Sequence, residues 1–334
     1  MVTKRYDVYG VGHALVDIQY AVNAAFLEKM GIGKGVMTLI DERRQLELAR
    51  ALLQDPVASC SGGSAANTMI GVASFGGSAY YACLVGDDDW GSFYLRDLRT
   101  AGVGTSDRAR TAGTTGRCTV FITPDADRTL NTFLGVGSAI NPAQIEAKVI
   151  AASRYVYLEG YLVATDNGMQ TCRMVQEAAR DHGVPLALTL SDPMIVDAAR
   201  ARFSQLVAAG VELLFCNADE AAAYTGLGDT ESAARRLGDI VPRACITCGP
   251  DGAILYEEGR RITVPAVDAD AVDTTGAGDL FAGGVLFGLT HGYSFADAGR
   301  LGTYAAAQVV AQYGPRLKRT LADSIDIILH SGLS

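Results

Sequence analysis

The sequence predicts an α/β protein, with a mostly parallel sheet covered by helices on both faces. Three observations carry that prediction. From Ala151 onward, apolar strands at 155–160, 185–190 and 211–216 alternate with helical stretches such as 168–182. Strands that are apolar almost throughout belong to parallel sheets buried on both sides. Thirty-eight glycines in 334 residues, 49% of them hydrophobic, suit close-packed layers joined by tight turns. No Pro/Gly/Ser-rich linker or internal repeat divides the chain, so residues 1–334 read as one domain.

The stretch around which the chain is organised is Asp273-Thr274-Thr275-Gly276-Ala277-Gly278-Asp279, followed by a small and apolar helix that carries no charge before His291. Small residues at Gly276, Ala277 and Gly278 allow a tight turn and leave the first helical amides uncovered. Those amides have no intrahelical partner, and the helix dipole adds partial positive charge, so the turn can hold an anion. Asp279 stands in the first helical turn. A carboxylate there can cap the helix, and it can also act as general base toward a hydroxyl that attacks a phosphate.

Taken in order, 6–12 is a short apolar strand that ends in glycine. Gly10-Val11-Gly12-His13-Ala14-Leu15 is not a dinucleotide fingerprint: Leu15 stands where the third glycine belongs, and 16–22 alternates like a strand. A short helix at 26–30, a strand at 35–40 and a capped amphipathic helix at 41–53 follow. Gly62-Gly63 precedes a helix that carries Asn67 one turn in, so a ligand can approach bare amides there. A strand at 79–85 leads to Asp87-Asp88-Asp89, read as a loop and helix cap. Segments 114–123 and 128–135 form a hairpin pattern around 124–127. Asn217-Ala218-Asp219-Glu220 opens a helix at the carboxyl end of a strand, where open α/β sheets bind ligands. Segment 244–256 is strand, glycine turn and strand, with Thr247, Gly249 and Gly252 in the turn region, and 302–310 is a small-residue helix.

Two of these stretches, about 200 residues apart, resemble the signatures of the PfkB carbohydrate-kinase superfamily. One is the Gly-Gly pair with Asn67 and the following Gly86-Asp87-Asp88; the other is the loop at 273–279. The resemblance covers nearly the whole chain and is nearest to the bacterial adenosine-kinase-like branch, although the Thr274-Thr275 spelling is that of sugar kinases and His13 stands where adenosine kinases carry Asn. It implies a ribokinase-like, Rossmann-type three-layer α/β/α domain, with a small β-sheet lid from about 15–40 and 113–136. It also implies transfer of the γ-phosphate of ATP to a hydroxymethyl group of a nucleoside or a free sugar, or, with catalysis lost, a nucleoside-binding protein.

The roles that the resemblance implies are specific. Asp279 is the catalytic base, and Gly276, Ala277 and Gly278 stabilise the transferring phosphate. Asp17, Gly62, Gly63 and Asn67 hold the acceptor, with His13, Met37 and Arg128 beside it. Asn217, Glu220, Thr247, Gly249, Gly252 and Thr275 serve ATP. Asn217 and Glu220 organise Mg2+ through waters, and Asp273 with Thr275 can hold K+ as some relatives do. Relatives are monomers or dimerise through the lid.

Composition narrows the alternatives. A net charge of −9 without a Lys/Arg run gives no expectation of a nucleic-acid partner. No apolar run reaches the ~18 residues of a membrane span and no signal-peptide pattern is present, so a cytoplasmic protein is expected. Seven scattered cysteines read as small buried hydrophobes; Cys245-Ile246-Thr247-Cys248 lies within a strand pattern and not at a helix start.

Overall fold

The computed structural model describes residues 3–125, 128–317 and 319–330. Nine strands form the larger sheet, in the spatial order Arg260–Val264, Ala253–Glu257, Arg243–Thr247, Leu213–Asn217, Leu186–Thr189, Ser153–Leu158, Tyr6–Val11, Ala79–Ala82 and Val103–Thr105. The seven from Arg243–Thr247 onward run parallel. The remaining two form an antiparallel edge.

Alternation along these strands builds the two cores. Val8, Tyr157, Phe215 and Leu255 pack with residues of the helices Ser64–Ser74, Ala277–Thr290 and Phe295–Val310. Tyr9, Val156, Leu188 and Ile246 pack with those of Asp166–Asp181, Pro193–Ala208 and Thr230–Gly238. Fully burying each such side chain stabilises the fold by roughly 1.5–3 kcal/mol. This is the parallel sheet covered on both faces that the apolar strands predict.

A second sheet of five strands has the order Met37–Leu39, Arg128–Phe133, Gly116–Ile122, Leu15–Ala21 and Ala58–Gly62. Its register aligns Cys60, Asp17, Cys118, Thr132 and Leu39 on one face, with Gln19, Val120, Leu130 and Met37 one step further along that face. The opposite face carries Phe121, which packs with Leu27 and Leu48 of the helices Ala24–Lys29 and Glu42–Ala51.

Several boundaries move. The expected strand at 35–40 shortens to Met37–Leu39, and the one at 79–85 breaks after Ala82 and resumes at Val85–Gly86. The helix at 302–310 begins earlier, at Phe295. The hairpin turn expected at 124–127 includes Ala126 and Asp127, which lie outside the described residues. Ala58–Gly62 is a strand with no counterpart in the sequence reading. It contains no β-branched or aromatic residue, so local propensity does not mark it. Pairing with Leu15–Ala21 creates it, and Asp97 Oδ2 closes its free edge by accepting 2.7 Å from Ser61 N. Asp88 caps the helix Asp89–Thr100 as expected, accepting from Gly91 N at 2.7 Å.

Candidate active site

The helix Ala277–Thr290 starts at Gly276, whose φ of 81° lies in the left-handed region, and no side chain caps it. A Cβ at Gly276 would come within 2.8 Å of Pro315, so only glycine permits this turn. Ala277 N donates to Thr274 O at 3.2 Å, and the first intrahelical bond runs from Leu280 N to Gly276 O. The amides of Gly278 and Asp279 therefore form the open start, and Ala277 serves the turn itself. Space around the Gly278 Cα is free of other atoms within 4 Å of a Cβ position.

Asp279 faces the neighbouring helix Ser64–Ser74. Its Oδ1 accepts from Ser64 Oγ at 2.6 Å and its Oδ2 from Asn67 Nδ2 at 3.0 Å. Burial pushes the carboxyl up to about 6, opposed by these two bonds. Asn67 is 4% exposed, and its Oδ1 has no hydrogen-bond partner among the described residues. A buried carbonyl acceptor left open beside the base is a place for a ligand hydroxyl.

Asp17 completes this end of the site. Its carboxylate lies against the Gly62 Cα: a Cβ there would sit 2.3 Å from Asp17 Oδ2. Gly63 has a φ of 97°, and a Cβ there would meet His13 O at 2.3 Å, so this position requires glycine. Burial raises Asp17 to about 7, countered by Arg316 and Arg128 and reinforced by Asp279. The charge of Asp279 therefore bears on Asp17.

On the other side of the turn lies a cavity of about 490 Å3 whose wall includes Thr247, Gly249, Gly252, Thr274, Ala277 and Gly278. Its floor is apolar, with Val267, Phe281, Ala306 and Val310. Such a chamber fits a flat heterocycle with its phosphates directed to the open helix start. Gly249 has free space around it, whereas a Cβ at Gly252 would strike Val264 O at 2.2 Å, so Gly252 shapes the hairpin.

Asn217 and Glu220 form a reciprocal cap. Glu220 N donates to Asn217 Oδ1 at 2.8 Å, and Asn217 N donates to Glu220 Oε2 at 3.1 Å. Glu220 is 6% exposed and raised to about 7, first by burial, with Asp192 and Asp279 adding to the rise. Among the described residues no cluster of three or more His, Cys, Asp or Glu is set to hold a metal directly. A buried carboxyl crowded by other acids fits Mg2+ held through one or two side chains and waters, which is how that ion binds beside phosphates.

Other expected positions differ in their surroundings. Arg128 contacts Asp273 across the cleft, and its Nη1 lies 3.4 Å from Thr275 Oγ1. Asp273 also accepts from Thr275 N at 3.0 Å and Gly314 N at 2.7 Å. The two residues expected to hold K+ are therefore engaged by a guanidinium. Met37 is 46% exposed on the Asp17 face of the smaller sheet. His13 is 4% exposed, with Nδ1 3.2 Å from Glu159 Oε1 and Nε2 without a partner among the described residues.

Three residues of the site were not singled out in the sequence. Ser64 follows the Gly-Gly pair directly. Glu159, 1% exposed, accepts from His13 N at 3.3 Å and Ala65 N at 2.9 Å, and so ties the first strand to the Gly-Gly helix. The signal for it was a single acid closing an apolar strand. Arg316 donates to Asp97 Oδ2 at 2.7 Å and also contacts Ser61, fixing the chain end against the smaller sheet.

An uncapped helix start between a nucleotide-sized cavity and a carboxylate-lined subsite is the architecture of a phosphotransferase. The comparisons agree. The pfkB family carbohydrate kinase profile matches residues 32–320. A probable sugar kinase from Rhizobium etli is 36% identical with a TM-score of 0.90, covering 97% of this chain and 99% of that one. An adenosine kinase from Sinorhizobium meliloti is 38% identical with a TM-score of 0.88, covering 96% and 98%. An adenosine kinase from Saccharomyces cerevisiae is 26% identical over 326 residues, 91% of this chain and 95% of that protein. The chain belongs to the PfkB family of carbohydrate kinases and is a phosphotransferase similar to adenosine and sugar kinases.

Proposed function

We propose that this kinase transfers the γ-phosphoryl of ATP to the hydroxymethyl group of a nucleoside, with Asp279 as general base. The observation that carries the reading is the Asp279 carboxylate, bonded to Ser64 and Asn67 at the open start of its own helix. Asp279 accepts the hydroxyl proton as the new O–P bond forms and the bond from the γ-phosphorus to the bridging oxygen of ADP breaks. The amides of Gly278 and Asp279 stabilise charge on the transferring group. Mg2+, held from Asn217 and Glu220 through waters, supplies neutralisation of the phosphates when bound. Asp17 and the free Oδ1 of Asn67 take the sugar hydroxyls, and the five-stranded sheet acts as a lid over them.

The nucleoside is favoured over a free sugar by the apolar side chains beyond Asp17 on the same face. Met37 and Leu39 are 46% and 58% exposed there, a surface a heterocyclic base covers and a lone sugar does not. Similarity to the Sinorhizobium meliloti adenosine kinase supports this, and similarity to the Rhizobium etli sugar kinase keeps fructose or ribose as the second reading. A coupled ADP-release assay across adenosine, other nucleosides, ribose and fructose tests it. Turnover highest with a nucleoside is the expected result. Higher kcat/KM on a free sugar would replace the acceptor assignment. Tight nucleoside binding without turnover on any acceptor would overturn catalysis.

A further inference from the structure

We propose that the Arg128 guanidinium is the built-in cation of the 273–279 loop, standing where K+ binds in some related kinases, so that this chain needs no monovalent cation. Asp273 lies in the loop and its side chain is 2% exposed; that of Arg128 is 9% exposed. A carboxylate so buried requires a counter-charge, and Arg128 supplies one. The same guanidinium donates to Thr275 Oγ1 at 3.4 Å, so side-chain oxygens of both residues expected to hold K+ face it. A metal cation entering here would compete for the same volume and meet a like charge. The remaining bonds to Asp273 come from the amides of Thr275 and Gly314, which are donors and repel a cation.

The position of Arg128 adds a consequence. It is the first residue of the strand Arg128–Phe133 in the smaller sheet, paired with Ile122 on the face shared with Ala21, Gln19 and Asp17. Asp273 belongs to the larger sheet's helix-start loop, 145 residues away in sequence. The contact therefore ties the smaller sheet to the loop. This rests on reading 273–279 as the phosphate-holding loop, but the unfolding arm of its test needs no acceptor.

The experiment is thermal unfolding of the ligand-free protein in ~0.15 M KCl, NaCl or choline chloride, so that ionic strength is constant. Wild type is expected to melt within about 1 °C in all three, and to turn over its acceptor equally in KCl and choline chloride. Arg128→Ala is expected to melt roughly 5 °C lower in choline chloride and to regain part of that loss in KCl, because an emptied pocket now accepts an ion. Arg128→Lys keeps a cation on the strand and should stay indifferent to K+. The proposal is overturned if wild type gains several degrees or several-fold turnover from K+ over choline, or if Arg128→Ala is as indifferent as wild type. A chain inactive on every acceptor would still show or lack the K+ response in its melting, so this inference and the kinase reading fail separately.

Discussion

Ser64 Oγ donates a 2.6 Å hydrogen bond to Asp279 Oδ1, joining the starts of two helices that lie 215 residues apart in sequence. The bond favours the ionised carboxylate, in opposition to burial, which holds the group at about 6. A general base must be deprotonated, so kcat/KM falls as pH drops through that value. Removing the hydroxyl in Ser64→Ala removes a lowering influence and raises the pKa. The acidic limb of the pH profile should move up by roughly half to one unit, worth about 1 kcal/mol. Turnover near pH 6 then drops several-fold while turnover near pH 8 changes little. A limb that stays in place, or moves down, would remove Ser64 from this role.

Asp279→Asn keeps the shape and can still bond Ser64 and Asn67, but it cannot accept a proton. Turnover should fall roughly 10²–10⁴-fold, with the KM for ATP nearly unchanged because the cavity proposed for the nucleotide lies on the other side of the turn. Steady-state kinetics on the best acceptor checks this. Near wild-type kcat would show that another group takes the proton.

Much of this site was legible because its parts are local. The glycine turn at 276–278, the Gly62-Gly63 pair and the Asn217–Glu220 cap each declare a helix start within a few residues, and helix starts follow from short-range backbone chemistry. The apolar strands likewise announced the parallel sheet. What stayed hidden is set by tertiary contact. Nothing in the spacing says that Ser64 aims at Asp279, or that Arg128 reaches Asp273. Ala58–Gly62 has the composition of a loop and becomes a strand only against Leu15–Ala21. Glu159 was visible as a lone acid on an apolar strand, but its partners His13 and Ala65 come from two other elements.

Three buried carboxyls set the pH dependence of stability. Asp17 and Glu220 are raised to about 7 and Asp279 to about 6, in each case chiefly by burial. Their unfolded values are 3.8, 4.5 and 3.8, so over the interval between, the folded protein binds more protons than the unfolded chain. Stability therefore decreases as pH rises through that window and levels off above about pH 7. The carboxyls whose values are lowered, Asp88, Asp97, Asp125 and Asp229, act below the ordinary carboxylate range and do not oppose this trend. Thermal unfolding of the ligand-free protein should give a higher Tm near pH 5 than near pH 8. Asp17→Asn should raise the Tm at the higher pH and flatten the slope, while weakening acceptor binding. A Tm that climbs steadily from pH 5 to 8 would contradict the burial of these groups.

The smaller sheet also bears on assembly. A dimer formed by stacking two such sheets needs their outer faces free. Here Phe121 and its neighbours on that face are covered by the helices Ala24–Lys29 and Glu42–Ala51, through Leu27 and Leu48, and Gln45 Nε2 donates to Thr119 Oγ1 at 3.3 Å. At the Ala58–Gly62 edge, Ser61 N is already taken by Asp97. Continuing the sheet into a second copy there would cost that bond. The inner face must stay open to the acceptor. These three constraints predict a monomer of 35.0 kDa at micromolar concentration, with or without nucleoside. Light scattering coupled to size-exclusion chromatography checks the mass. A stable dimer whose interface maps to the smaller sheet would mean that the two covering helices move aside, and deleting Leu48 contacts by Leu48→Ala would then strengthen the dimer while lowering the Tm of the monomer.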